Sequence, residues 1–205
     1  MRVLNVLKIA VVLCGVFFAV EAWRTHNADQ RLAAPLKAQQ VFAPEPVQTS
    51  TRATAFSIGE YQIKPVADFS VRARILGRED YRMGREADLS PIDLALGWKR
   101  MADPTVYKPL NITQGGRWYR YTWSDQPPIP LQEIIESSSN MHMIPASPAV
   151  GRALEKAQEG RYIRLTGKLV NVQHASGWRW SSSLSRVDSG AGACELVYVE
   201  SAVVE

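Results

Sequence analysis

From Ile9 to Val20 the chain carries no charged residue; Arg2 and Lys8 precede this run, and Glu21 and Trp23 follow it. A helix over residues 3–22 would be roughly 30 Å long, enough to cross a bilayer core, with Lys8 and Trp23 placed to sit at its interfaces. The pattern predicts a membrane anchor helix with its extension over residues 1–36. The rival reading is a cleaved signal peptide, with Val20 and Ala22 at the small-residue positions before the cut. Flanking charges are nearly matched, so orientation follows from the short basic start: N-terminus in the cytoplasm, the remainder exported.

Residues 37–55, KAQQVFAPEPVQTSTRATA, are rich in Gln, Pro, Thr and Ala and show neither period, so they read as a linker. The folded domain is then expected over 56–205. In ADFSVRARILG, Phe69, Val71, Ala73 and Ile75 alternate with more polar positions, the period of a half-buried strand. Ser90, Pro91 and Asp93 look like a helix start and Gly97 like its stop, predicting a short helix over 92–96. Gly115 and Gly116 divide two β-rich runs and predict a hairpin. Residues 131–137 suit one or two helical turns, 140–144 a brief strand, and Ser147–Pro148 starts the clearest helix, with Val150, Ala153, Leu154 and Ala157 as its apolar stripe. RYIRLTGKLVNVQ, GWRWSSSLSR and ACELVYVESAVV read as three further strands. The fold class expected is α+β: a transmembrane helix, then one domain with a mostly antiparallel sheet or a partly closed, OB-like barrel and two or three short helices.

Composition sharpens this in one respect. The net charge of +4 would invite a nucleic-acid reading, but residues 51–205 hold 19 basic and 17 acidic side chains. Such a balanced surface does not attract phosphate backbones in general, and no nucleic acid is expected as a partner. Cys14 lies in the apolar run and Cys194 near the C-terminal end, which gives no disulfide framework; the three histidines and two cysteines lack metal-ligand spacing. No metal and no cofactor is expected. Glu79, Asp80, Glu86 and Asp88 are interleaved with Arg78, Arg82 and Arg85 and read as an ion-paired loop rather than a calcium site.

Two sets of residues carry candidate chemistry. Trp118, Tyr119, Trp178 and Trp180, with Arg117 and Arg179, offer flat faces and guanidinium groups able to stack on rings, although strand aromatics more often pack a core. Cys194, with His142 as base and Asp188 to orient it, would make a nucleophile set if the fold joins them; otherwise Cys194 is a small buried hydrophobe and His142 a structural residue.

GREADLSPIDLALGW, RWYRY, NMHMIPA and GACELVYVE resemble the corresponding strings of an uncharacterised bacterial family of small exported or membrane-anchored proteins, over about residues 56–200. The resemblance implies export and brings no activity with it. EGRYIRLTGKLVNVQ is similar to an early, curved strand of small exported OB-fold domains. The expected protein is thus a single-pass bacterial inner-membrane protein with its C-terminal domain in the periplasm, or a soluble periplasmic one if the start is cleaved. Its expected role is a non-enzymatic binding or assembly module with another envelope protein as partner. The alternatives are an extracytoplasmic Cys-His hydrolase or transferase, and an OB-like single-strand nucleic-acid or glycan binder.

Overall fold

A computed structural model of the chain describes residues 43–205; the expected anchor helix lies outside them. Among the described residues no helix is long and apolar enough to cross a membrane. The strands are β1 Val47–Thr49, β2 Phe56–Ile58, β3 Tyr61–Asp80, β4 Ile92–Gly97, β5 Asn111–Gly115, β6 Trp118–Thr122, β7 Ser138–Pro145, β8 Tyr162–His174, β9 Arg179–Ser181 and β10 Glu195–Val204. Four short helices, α1 Arg85–Leu89, α2 Pro104–Tyr107, α3 Leu131–Glu136 and α4 Pro148–Leu154, and a three-ten turn at Lys99–Ala102 lie between them. The domain is α+β, and its sheet is mostly antiparallel.

β3 is long because its alternation never breaks: from Ile63 to Ile75 every second residue is buried. Such a strand can serve two neighbours, and β3 pairs with both β8 and β4. β4 pairs with β7, β7 runs parallel to β10, and β10 returns antiparallel to β8. The pairings of β3, β4, β7, β10 and β8 therefore form a closed circuit. Inside it lie Val71, Leu94, Leu96, Met141, Met143, Leu165, Val197 and Val199, joined by Leu154 of α4. Ser147 caps α4, accepting from the Val150 amide at 3.3 Å, as its sequence predicts.

Residues 92–96 form the strand β4, not the expected helix. All six residues of β4 are buried: Ile92, Leu94 and Leu96 face the inner cluster, while Ala95 joins a second cluster beneath the β5–β6 hairpin. A helix of five residues has almost no hydrogen bonds of its own, whereas β4 gains a ladder on both edges. Ser90 instead ends α1. The linker reading of residues 37–55 is likewise modified, since Val47–Thr49 pairs antiparallel with β3.

Gly167 of β8 faces the Tyr198 carbonyl of β10 so closely that a Cβ there would overlap its oxygen. The ladder shifts register one step further on, between Val199 and Ser201, so the strands bend at this contact. Gly167→Ala should lower the urea midpoint, by about 2 kcal/mol of stability, because backbone rather than a mobile side chain must move. An unchanged midpoint would contradict this close approach.

Candidate functional site

Asn140 and His142 stand on the outer face of β7, opposite the inward Met141 and Met143. His142 lies across from Asp93 on β4, and its Nδ1 is 2.9 Å from Asp93 Oδ1 without the alignment of a hydrogen bond. Arg117 reaches in from the hairpin turn: one guanidinium nitrogen sits 2.5 Å from Asp93 Oδ1, and the other donates to the Ser90 carbonyl at 2.9 Å. The same guanidinium lies over the Tyr81 ring at 3.7 Å, and the Tyr81 hydroxyl accepts from the Arg117 amide at 2.9 Å. Trp180 of β9 packs on the His142 ring, centroids 4.8 Å apart.

Asp93 is thus a fully buried carboxylate whose charge is met by Arg117. Sequence reasoning placed Asp93 in a helix cap and gave Arg117 to a ligand. The available signal was a carboxylate within the otherwise apolar run IDLALG. Arg117 and Gly116 both have positive φ, 68° and 58°, the two central positions of a type I′ turn. Arg117 holds the hairpin to the sheet.

Cys194 extends this row. Its thiol donates to the Arg117 carbonyl at 3.8 Å, and Asn140 Nδ2 approaches the sulfur at 4.0 Å. Burial, and next the neighbouring Glu195, pushes the thiol up to about 11. A thiol so poised is almost wholly protonated near neutrality and is a weak nucleophile. The carboxylate beside His142 is Asp93; Asp188 accepts from Ser183 Oγ at 2.7 Å in the loop before β10. In the folded chain, alkylation of Cys194 by a thiol reagent should stay slow through pH 8.5 and accelerate on unfolding. Rapid reaction at pH 7 would point to a thiolate and restore the nucleophile reading.

Glu195 points the other way from Cys194, into the end of the inner cluster. It is fully buried, receives the Ser139 hydroxyl and lies against Arg186, whose guanidinium sits 5.8 Å from the Phe69 ring centroid. Desolvation raises its carboxyl to about 7 despite Arg186. This pair fastens the loop of residues 182–194 to the sheet.

Between that loop and the hairpin is a cleft of about 450 Å³. Its walls are all five residues of β6, residues 138–140 at the start of β7, and loop residues from Asp188 to Cys194. β6 alternates: Tyr119 and Tyr121 pack with the second cluster, whereas Trp118 is exposed, with Arg120 5.6 Å from its ring. Tyr119 donates to Ser138 Oγ at 3.3 Å, and burial drives its phenol far above the usual range. The other aromatic pair is elsewhere: Trp178 and Trp180 pack on each other, 5.8 Å apart, with Tyr61 against Trp178, and Arg179 between them is exposed. The structure therefore separates the six aromatic and arginine candidates into Trp118 and Tyr119 at the cleft, Arg117 beneath it, Arg179 and Trp180 on β9, and Trp178 just before β9. No group of His, Cys, Asp and Glu able to hold a metal occurs among the described residues. Comparison with protein-family models, with curated proteins and with solved structures gives no match.

Proposed function

We propose that residues 43–205 are an OB-type barrel acting as a non-catalytic binding module of the bacterial envelope, tethered by the apolar N-terminal segment. The strand order supports the barrel reading: three antiparallel strands, a helix, then two more strands, with the third and last paired in parallel. The observation that carries the binding reading is the cleft between β6 and the start of β7. It combines an exposed tryptophan, tyrosines and a few polar groups, the composition of a recognition site. A protonated thiol favours binding over hydrolysis.

The test is site-specific photo-crosslinking in bacterial cells with the full chain. A photoreactive phenylalanine analogue at Trp118 should give discrete adducts; the same group at Val203, exposed near the end of β10, should give none. Indistinguishable patterns at the two sites would refute the cleft as a binding surface. Trp118→Ala, which removes a half-exposed ring, should leave the thermal midpoint within about 1 kcal/mol of wild type while abolishing crosslinks from a photoreactive residue at Thr122.

A further inference from the structure

The cleft touches every residue of β6 and none of β5, so it lies along the free edge of the hairpin rather than on either of its faces. The two-residue turn fixes which main-chain groups meet it. Gly115 and Trp118 flank the turn and exchange hydrogen bonds, so Trp118, Arg120 and Thr122 spend their N–H and C=O groups on β5. The N–H and C=O of Tyr119 and Tyr121 point the opposite way, into the cleft. Across it, β7 pairs with β10 only from Met141 onward, so Ser138, Ser139 and Asn140 have no strand beside them on that side among the described residues.

We propose that the cleft takes an extended acidic peptide segment of another protein, added as a strand to the edge of β6. The inference rests on reading the cleft as the binding site. Unpaired main-chain donors and acceptors at every second residue recognise another main chain, and neither a proline nor a lysine blunts this edge. Side chains on one face of the added strand would lie beside Tyr119 and Tyr121 and above Ile135, which suits apolar residues. Those on the other face would lie beside Trp118 and Arg120. Arg120 is exposed and stands on β6 itself, so an acidic side chain at the matching position of the added strand would meet its guanidinium directly, while Asp188 stands on the opposite wall.

The experiment measures fluorescence anisotropy with the full chain and a labelled pool of acetylated, amidated heptapeptides that alternate Asp or Glu with Val, Leu or Phe. Saturable binding is expected, weakened about tenfold when backbone nitrogens of the peptides are methylated. Tyr121→Pro, which deletes an edge N–H and no β5 bond, should weaken binding similarly, while Tyr121→Val should retain most of it. Equal affinity for methylated and unmethylated pools overturns strand addition. So does a dimer, seen by sedimentation, that the peptides dissociate, because a second copy would then own the edge. If no peptide binds but an N-acetylglucosamine trimer quenches Trp118, the peptide inference fails and the cleft reading stands; if neither binds, both fail.

Discussion

Arg117→Gly should destabilise the domain by about 3–5 kcal/mol, read as a lower urea midpoint with an unchanged slope, because it leaves Asp93 ionised and fully buried without its cation. Glycine is the informative replacement. Arg117 sits at φ 68°, so Arg117→Ala removes the charge and keeps a side chain in a left-handed conformation, and should be about 1 kcal/mol worse than Arg117→Gly. Adding Asp93→Asn to Arg117→Gly should recover a substantial part of the loss, since a neutral amide can still bond Asn140 and needs no counter-charge. If the single and double variants unfold at the same midpoint, the pair is not what holds the hairpin.

The second large effect is a pH dependence of opposite sense to ordinary acid denaturation. Glu195 has its carboxyl raised from 4.5 to about 7 by burial. Between those values the folded chain keeps a proton that the unfolded chain has released. Its contribution is therefore full below about pH 4.5, declines as pH rises, and levels off above about pH 7. The decline amounts to about 3 kcal/mol. Asp68, held low by the Thr51 hydroxyl and then Lys168, and Glu205, held low by Arg164 and Arg72, act in a lower window and with the other sign. Urea titrations at pH 4.5 and 7.5 should show the loss in wild type and a much flatter profile in Glu195→Gln. A wild-type stability that rises across this window would contradict the assignment.

Most of the strands were legible because their signals are local. The alternation of β3, the paired glycines before β6 and the Ser-Pro start of α4 each dictate an element without help from distant residues. β4 was not, because Ser90, Pro91 and Asp93 spell a helix start while both faces of Ile92–Gly97 are claimed by neighbours that only the fold brings up. The site divides in the same way. Cys194 and the aromatic residues of β6 stand out as residue types, but the meaning of Asp93 depends on Arg117, 24 positions away. Glu195 is similar: the alternation sends it to the face opposite Cys194, yet nothing local announces that Arg186 will fold back to meet it. Charged residues that answer each other across a turn or a loop are invisible to a periodicity, which sees each as a solvated position.

Ala43 is fully buried in the inner cluster, and its carbonyl accepts from the Lys99 amide at 2.9 Å. Glu45 pairs with Lys99 just after it, and Val47–Thr49 then runs along β3. Tension applied to the domain from its N-terminal side would accordingly be met first by this short clamp and only afterwards by the long β3–β8 ladder. The domain has a mechanical fuse at its entrance: under load, residues 43–49 should peel away as an early, low-force step, lengthening the chain while the β3–β8 ladder stays whole.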